Sequence, residues 1–475
     1  MKLTYGVKKL LSVLSAISIA VCCLPFAAAA ATTEIADSGE CGEIKWSVEY
    51  DSYSGNILTI SSINETAVIP DFERYGDNVS PWDKYSTNIS IVKIESGITR
   101  IGNYAFYWFS KILYINNDTG NYIKIPDTVT SIGDYAFRSC RKLFIVDLGN
   151  NIKTIGEGAF YDCSNLYSVC LPDNLYAIDG TSEGEIPDYL FSGCSELSKV
   201  SMQQNKTANF DLSCNINIIG KYAFSGCEKL CATNGSWLNV PNTVVTIDDY
   251  AFENCSSIEK INVTLGTNYI SPGAFNGCTS LKTFIIINGS DSKCFYMPTN
   301  SELYNKAKTT LVRIMPAYSK AEYTVLDTVK EIGDYAFNSS VNLEKITIPD
   351  GVKSIGNFAF SDCEKLSEVY LPKSIEKIDS LAFGYYAPVD VYYDGTREDF
   401  LKIEGADLID IRVTMHYSAA VGDLHQDGKI DILDLIALKK AIAENSERTD
   451  QNDINSDGKL DAGDIVSLRK MILGL

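Results

Sequence analysis

The sequence predicts two folded parts: a long solenoid of short β-strands and turns, followed by a small all-helical module. Two kinds of internal repetition lead to this expectation. A motif centred on phenylalanine recurs ten times between residues 96 and 388, and a C-terminal segment occurs twice, thirty residues apart. Self-similarity at a fixed period of about 20–50 residues is the signature of repeat architectures, in which stacked units share one core.

The repeated motif reads LxxVxLPxxVxxIGxxAFxxC, and its clearest copies occupy residues 152–172 and 352–372. Spaced apolar residues in the LxxVxL half predict a strand with one buried face, and the GxxAF half predicts a turn with a short helical segment. The phenylalanine anchors are Phe106, Phe137, Phe160, Phe191, Phe224, Phe252, Phe275, Phe337, Phe360 and Phe383. Four intervals between them equal 23 residues, and the interval of 62 indicates at least one degenerate unit around residues 294–323.

A single unit is too small to enclose a core, so its stability must come from stacking on its neighbours. The motif resembles the leucine-rich repeats of the BspA type over roughly residues 96–388. The predicted fold class is therefore a leucine-rich-repeat β-solenoid, with short strands joined by short helical or 3-10 turns. Because open solenoid ends expose apolar surface, residues 32–95 are predicted as an N-terminal β cap and residues 389–418 as a C-terminal cap.

Seven cysteines occupy one position of the repeat, three residues after the phenylalanine. They are Cys140, Cys163, Cys194, Cys227, Cys255, Cys278 and Cys363, and Ser340 takes the same place in another unit. One small residue per repeat at one position predicts a column of buried free thiols that satisfy the turn backbone. Disulfide bonds and metal ligation are the alternatives.

Each copy of the C-terminal duplication begins with a loop rich in oxygen-bearing side chains. The loop positions are Asp423, His425, Asp427, Gly428, Lys429, Asp431 and Asp434 in the first copy, and Asp453, Asn455, Asp457, Gly458, Lys459, Asp461 and Asp464 in the second. Oxygen ligands at positions 1, 3, 5, 9 and 12, with glycine at 6 and a backbone carbonyl at 7, are what Ca²⁺ requires. The sequence thus predicts two Ca²⁺ ions, the first held more weakly because imidazole is a poor calcium ligand.

Two departures separate these loops from ordinary EF-hands. Position 12 is Asp rather than Glu, and residues 418–422 leave no room for an entering helix. A duplicated loop followed by one helix, an F-hand, with a basic pair in that helix resembles the type I dockerin over residues 419–475. The resemblance implies a small all-α calcium-binding module that binds a cohesin module of a scaffoldin. By the same resemblance, the cohesin-binding residues are Ile432, Leu433, Lys439, Lys440, Ala462, Gly463, Arg469 and Lys470.

The chain begins with a segment typical of export. Lys2, Lys8 and Lys9 precede an apolar run to about residue 23, and small residues at 27–31 offer cleavage sites, so residues 1–31 are predicted as a secretory signal. No later stretch is long and apolar enough to predict a membrane span. The formal net charge of −20 argues against nucleic acid, whose phosphates it would repel.

The residue inventory argues against catalysis. Two histidines, His416 and His425, are too few for a Ser-His-Asp triad or a multi-histidine zinc site in the repeats. A glycosidase needs only two carboxylates, but no acidic residue stands in a context that indicates such a pair. Outward strand residues such as Phe144, Tyr167 and Tyr370 are candidates for stacking on sugar rings or contacting a protein.

The sequence therefore predicts a secreted, non-catalytic binding or adhesion protein that is anchored to a cellulosome by a calcium-dependent dockerin–cohesin contact. Its role would lie in plant polysaccharide degradation or in attachment to substrate or cells. The alternatives are a cellulosomal glycoside hydrolase with an unrecognised carboxylate pair and a structural spacer. The ligand of the repeats, whether a protein, a cell surface or a glycan, is left open, as is the cohesin that is bound.

Overall fold

A computed structural model of the chain describes residues 34–51, 55–115, 122–176, 184–203, 205, 210–212, 215–232, 235–287, 294–384, 389–408, 412–417, 421–425, 429–449 and 451–475. The predicted secretory signal lies outside the described residues. So do Cys214, linker residues 418–420, and Asp427 and Gly428 of the first predicted calcium loop.

The N-terminal end of the solenoid is covered by antiparallel strands. The first strands are β1 (Glu34–Cys41), β2 (Ile44–Asp51), β3 (Gly55–Ser62), β4 (Ala67–Val68), β5 (Ile89–Ile94), β6 (Ile98–Ile101) and β7 (Tyr114–Ile115). β1, β2 and β3 pair antiparallel, whereas β3 pairs parallel with β5 and β5 with β7. Trp82 is fully buried beneath this cap, where it stacks on Phe106 and donates its indole N–H to the Ala105 carbonyl at 2.8 Å.

Each following repeat contributes one strand to each of two parallel columns. These strands are β8 (Tyr122–Lys124), β9 (Ser131–Ile132), β10 (Ile145–Asp147), β11 (Thr154–Ile155), β12 (Ser168–Leu171), β13 (Gly184–Ile186), β14 (Lys199–Met202), β15 (Ile216–Ile219), β16 (Trp237–Asn239), β17 (Thr246–Ile247), β18 (Lys260–Thr264), β19 (Tyr269–Ile270) and β20 (Thr283–Ile287). The first column contains β8, β10, β12 and β14, then β16, β18 and β20; the second contains β4, β6, β9 and β11, then β13, β15, β17 and β19. Inward residues in register, such as Val146, Val169 and Val200, are fully buried.

The phenylalanine anchors stack into one column along the core. Consecutive rings in the first seven repeats lie 5.2 to 6.0 Å apart and are nearly parallel. The backbone follows the same spacing, since the Phe137 N–H donates to the Ala159 carbonyl of the next repeat at 2.8 Å.

The short helical segment predicted at GxxAF is wrong, because successive turns occupy this stretch instead. In eight of the ten repeats the residue two positions before the phenylalanine adopts a positive φ, as Tyr135 does at 53° and Tyr222 at 55°; Gly273 and Leu381 do not. A left-handed residue at that position interrupts any helix.

The predicted column of thiols is confirmed. Every ladder cysteine is buried and free, and its Sγ donates to the carbonyl of the preceding repeat's phenylalanine at 3.0 to 3.2 Å. Cys163, for example, donates to the Phe137 carbonyl at 3.2 Å. No disulfide joins the cysteines within the described residues. The thiol therefore satisfies one buried carbonyl in each repeat, which is why a small donor recurs at this position.

The degenerate unit predicted around residues 294–323 is present as a hairpin that breaks the regular stack. The remaining strands are β21 (Phe295–Tyr296), β22 (Glu302–Asn305), β23 (Thr310–Ile314), β24 (Glu322–Thr324), β25 (Glu331–Ile332), β26 (Lys345–Thr347), β27 (Ser354–Ile355), β28 (Glu368–Leu371), β29 (Lys377–Ile378), β30 (Val389–Tyr393) and β31 (Val413–Tyr417). β21 to β23 pair antiparallel, and β23 then continues the second column by pairing parallel with β25. Ile314 takes the phenylalanine position, because its N–H donates to the Ala336 carbonyl at 2.7 Å.

A buried arginine bridges this break. The Phe275 carbonyl stands where a ladder thiol would donate, and it accepts instead from Arg313 Nη2 at 3.1 Å. Arg313 Nη1 donates to the Pro272 carbonyl at 3.0 Å and to Asn276 Oδ1 at 3.1 Å. Burial lowers the pKa of Arg313 to about 10. The neighbours of Arg313 along β23 belong to different core clusters: Val312 packs against the first, and Leu311 and Ile314 lie in the second.

Helices appear only after the repeats in the described chain. A short helix α1 (Arg397–Phe400) lies between β30 and β31 at the C-terminal cap, and 3-10 turns occur at Asp83–Tyr85 and Ala406–Leu408. The C-terminal module contains α2 (Ile432–Ala443) and α3 (Ala462–Leu473), which pack through Leu435, Leu438 and Leu468.

Candidate calcium loops and docking helices

The two duplicated loops use the same device to start their helices. Asp431 and Asp461 are the N-caps of α2 and α3, and each forms a capping box with the aspartate three residues later. The Asp431 side chain accepts from the Leu433 N–H at 2.7 Å, while Asp434 Oδ2 accepts from the Asp431 N–H at 2.8 Å. Loop position 9 is therefore also a helix cap, which couples the loop conformation to the first turn of the helix.

Loop position 12 folds back over the start of each loop. Asp434 Oδ1 accepts from the His425 N–H at 2.8 Å, and Asp464 Oδ1 accepts from the Asn455 N–H at 3.3 Å. Both aspartates are fully buried. The first and last parts of each predicted ligand set are thus brought together by backbone contacts that the sequence positions alone do not reveal.

The second loop is described throughout and shows the more complete geometry. Asp453 is buried, and it accepts from the Asp457 N–H at 3.1 Å and the Gly458 N–H at 2.9 Å. Gly458 has φ +84°, the left-handed turn for which glycine is needed. Asn455 and Asp457 lie exposed above it, with Asn455 Nδ2 donating to Asp457 Oδ2 at 3.0 Å.

An arginine outside the predicted ligand set contacts the second loop. Arg448 Nη1 lies 2.8 Å from Asp453 Oδ2. Burial by itself raises the pKa of Asp453, but the bonds from Arg448 and from the Gly458 and Asp457 amides outweigh it and hold that pKa below its ordinary value. The equivalent position in the first copy, thirty residues earlier, is Ser418. A repeat comparison would have exposed this difference, but its consequence depends on the fold.

The residue chemistry of both loops fits a hard cation. Asp434 and Asp464 are buried and accept from backbone N–H groups, and the described residues form no ion pair with either of them. Buried carboxylates without a counter-charge are costly, so a bound cation would stabilise them. The described residues form no ready cluster of three or more His, Cys, Asp or Glu side chains.

The predicted cohesin-binding residues lie on the outer faces of the two helices. Ile432, Leu433, Lys439 and Lys440 are exposed on α2, and Ala462, Arg469 and Lys470 are exposed on α3, where Gly463 is half-buried. The copies differ most in the first turn. Ile432 and Leu433 are 59% and 44% exposed on α2, where α3 has the small residues Ala462 and Gly463. One turn later the copies match, since Ile436 is 58% and Val466 is 54% exposed.

The outward residues of the first strand column stack on one another. Phe144 stacks on Tyr167 with ring centroids 5.3 Å apart, and Tyr370, Tyr392 and His416 form a second stack at 4.7 and 4.5 Å. His416 Nε2 also lies 3.0 Å from Asp390 Oδ1. Ring faces inside these stacks contact neighbouring rings, so a sugar has mainly ring edges to meet there.

Comparison with known proteins agrees with this architecture. The family model for the BspA type leucine rich repeat region matches residues 84–183, 116–208, 202–310 and 318–391. The chain belongs to the BspA-type leucine-rich repeat proteins. The model for the dockerin type I domain matches residues 421–473. A search of curated proteins found no match.

Several solved bacterial structures are similar to this BspA-type chain. A leucine rich cell surface protein from Faecalibacterium prausnitzii is 20% identical, covers 78% of this chain and 98% of its own, and has a TM-score of 0.43. A leucine-rich repeat protein from Eubacterium ventriosum is 20% identical, with 79% and 83% covered and a TM-score of 0.34. One from Bacteroides ovatus is 17% identical, with 83% and 100% covered and a TM-score of 0.36. All three TM-scores are below 0.5, so the family assignment rests on the repeat model.

These matches identify the two kinds of module in the BspA-type chain. Type I dockerin domains bind calcium, and a dockerin implies a cohesin partner. The repeat and the dockerin are both non-catalytic modules, and together they point to an extracellular, cell-surface or cellulosome-associated protein. Within the described ranges, no helix is both long and apolar enough to cross a membrane.

Proposed function

We propose that this protein is an exported, non-catalytic binding protein that attaches to a cohesin-bearing scaffold of a cellulosome and presents its solenoid to a ligand. The observation that carries the proposal is the pair of modules in one chain. The repeat core offers extended outer faces, and a dockerin with two loops of buried carboxylates follows it. Residues 1–31 would direct export, and residues 419–475 would form the docking module.

Two Ca²⁺ ions would be held by the duplicated loops. The proposed ligands of the first are Asp423, His425, Asp427, the Lys429 carbonyl, Asp431 and Asp434; those of the second are Asp453, Asn455, Asp457, the Lys459 carbonyl, Asp461 and Asp464. The ion supplies the charge that keeps the buried carboxylates together. Because position 12 also hydrogen-bonds the N-cap aspartate, an ordered loop would hold the first turn of its helix, where cohesin binds.

The first copy offers the stronger cohesin face. Ile432 and Leu433 are exposed apolar residues on the first turn of α2, whereas α3 has Ala462 and Gly463 there; the exposed Ile436 has an exposed counterpart in Val466. Exposed apolar side chains at the centre of an interface contribute more binding free energy than small ones, because they remove more apolar surface from water. Cohesin is therefore proposed to bind mainly through α2.

Capture on an immobilised cohesin tests the docking half. Full chain should bind in Ca²⁺ and be released by excess EDTA, and Ile432→Asn should weaken binding far more than the matched Ala462→Asn. Capture that survives chelation would overturn the calcium-dependent assignment. Equal losses in the two variants would overturn the preference for α2.

Depletion by insoluble plant cell walls tests the binding half. Full chain should be removed from solution without release of reducing sugar. Sugar release that is lost on changing a single carboxylate would show a glycoside hydrolase instead. Absence of depletion from cell walls, cells and protein ligands alike would leave a structural spacer and contradict the proposed binding role.

A further inference from the structure

An arginine–aromatic patch lies on the turns of the N-terminal repeats, away from both strand columns. We define it as Arg74, Tyr75, Tyr107, Trp108, Arg138 and Arg141. The Arg74 guanidinium lies 4.7 Å from the Tyr75 ring centroid and 5.5 Å from that of Tyr107. The Arg138 guanidinium lies 5.8 Å from Tyr107 on one side and 4.4 Å from Tyr161 of the next repeat. Arg141 lies 5.5 Å from Trp108.

Two cations of this patch have no anionic partner. Arg141 is paired with Asp162 at 2.6 Å, but neither Arg74 nor Arg138 forms an ion pair within the described part of the chain. Arg138 Nε is also buried without a hydrogen-bond acceptor there. A neighbouring acidic group is already engaged, since Tyr135, whose ring lies 5.5 Å from the Arg138 guanidinium, donates its hydroxyl to Glu157. The rings fix the direction of each fork, which leaves it ready for a planar anion.

Trp108 sits where the other repeats have turn-forming residues. Its φ is +63°, in the left-handed region that bulky side chains rarely adopt. The equivalent positions, two residues after the phenylalanine and also at positive φ, hold Ser139, Asp162, Gly193, Gly226, Asn254, Gly277, Ser339 and Asp362. Trp108 is 44% exposed, and Tyr75, which is linked to it through Arg74 and Tyr107, is 69% exposed. Neither ring is needed to fill the core, so their exposure favours a ligand contact.

We propose that the arginine–aromatic patch binds an acidic polysaccharide that contains uronate residues. Arg74 and Arg138 would hold uronate carboxylates by two-pronged hydrogen bonds. The faces of Trp108 and Tyr75 would meet the C–H faces of the pyranose rings, because the negative ring face attracts the weakly positive C–H hydrogens. This inference rests on the proposed binding function and names its substrate class.

The other polyanions fit the patch less well. Peptides are often recognised by adding a strand to a free sheet edge, but the backbone N–H of Trp108 is already used, because it donates to the Arg138 carbonyl at 2.8 Å. Nucleic acid and a uronate polymer both carry one charge per unit, so the acidic remainder of the protein repels both. A uronate unit differs in presenting a planar carboxylate, which matches the arginine fork, on a pyranose ring whose C–H face can lie on an aromatic side chain.

The test uses the full chain in Ca²⁺ with polygalacturonate as the probe, measured by affinity electrophoresis and calorimetry at low and moderate salt. The double variant Arg74→Gln with Arg138→Gln should lose binding by about tenfold or more. The matched control is Lys282→Gln with Lys353→Gln, which removes the same charge from solenoid lysines outside the patch. Tyr75→Ser, at a 69% exposed site, should weaken binding without disturbing the fold, which thermal unfolding checks.

Each outcome bears on the proposal. Strong binding of polygalacturonate, weak binding of its fully methyl-esterified form and loss only in the patch variants would support it. Equal binding of the esterified polymer, or unchanged binding by the arginine variant, would overturn it, as would tighter binding of polyglutamate. No binding of any uronate polymer would also overturn it. The binding role itself would then still be decided by cell-wall depletion and cohesin capture.

Discussion

Replacing Ser340 by cysteine should stabilise the solenoid, because this buried position favours the longer and less polar side chain. Ser340 is fully buried, and its hydroxyl has no hydrogen-bond partner in the described chain. In the equivalent place, Cys363 reaches the Phe337 carbonyl 26 residues earlier at 3.0 Å. The same offset from Ser340 leads to Ile314, whose carbonyl is the expected acceptor. The longer C–S bond lets a thiol reach this carbonyl where a hydroxyl does not.

The magnitude follows from the unsatisfied hydroxyl. A buried polar group without a partner costs about 1–3 kcal/mol, and a thiol is a small apolar group with a weak donor. We therefore expect Ser340→Cys to raise the free energy of unfolding by about 1–2 kcal/mol. The reciprocal change, Cys163→Ser, should lower it by about 1–3 kcal/mol, because a shorter side chain leaves both hydroxyl and carbonyl unpaired.

Guanidinium chloride unfolding in the presence of reductant measures both changes, with fluorescence and circular dichroism followed together because long repeat arrays can unfold in steps. Ser38→Cys, at an exposed serine of β1, controls for adding a thiol elsewhere. Two results together would refute the reasoning: a denaturation midpoint that Ser340→Cys leaves unchanged or lowers, and one that Cys163→Ser leaves unchanged.

Four further predictions address the junction, the thiols and the loops. Arg313→Ala should lower the free energy of unfolding by about 3–5 kcal/mol, because three buried acceptors lose their donor. It should also split denaturant unfolding into two transitions. A single transition with an unchanged midpoint would contradict this prediction. Burial raises the pKa of Cys278 to about 12, above the ordinary 9.0, so the contribution of this thiol to the free energy of unfolding is fully present below pH 9. Between pH 9 and pH 10 that contribution should fall by about 1 kcal/mol. Denaturation at the two pH values measures the fall, which should be smaller in Cys278→Ala. Arg448→Ala should tighten Ca²⁺ binding severalfold in calorimetry, because the cation no longer competes for Asp453, whereas Arg469→Ala, removing an equal charge, should not. Calorimetry of the unaltered chain should resolve two unequal Ca²⁺ sites, the weaker containing His425, and equal affinities would refute that assignment.

Most of the fold could be predicted from the period of the repeat. Regular spacing of the phenylalanine and the cysteine was enough to predict stacked strands and buried thiols, because a solenoid places equivalent residues in register. The expected continuous core is instead divided into two clusters at the degenerate unit. The duplicated loops were equally legible, since calcium coordination prescribes residue types at set positions.

The turn conformation was not predictable in the same way. A GxxAF segment has helix-compatible residues, yet Tyr104, Tyr189 and Tyr250 adopt positive φ. Stacking decides this: the rings of Tyr189, Tyr222 and Tyr250 lie 4.9 and 4.8 Å apart, and contacts between repeats outweigh a local preference. The sequence of a single repeat does not reveal this stacking between tyrosines of neighbouring repeats.

By itself, the sequence determined the order of the modules, the inward face of each strand, the thiol column and the oxygen-rich loops, because each depends on residue type at a fixed spacing. Tertiary structure alone decided which groups meet across repeats. It placed Arg313 on the Phe275 carbonyl, Arg448 on Asp453, and Arg138 between Tyr107 and Tyr161. The physical reason is that an unsatisfied carbonyl, a buried carboxylate or a ring face acts on whatever folding brings within a few ångströms, whatever its distance along the chain.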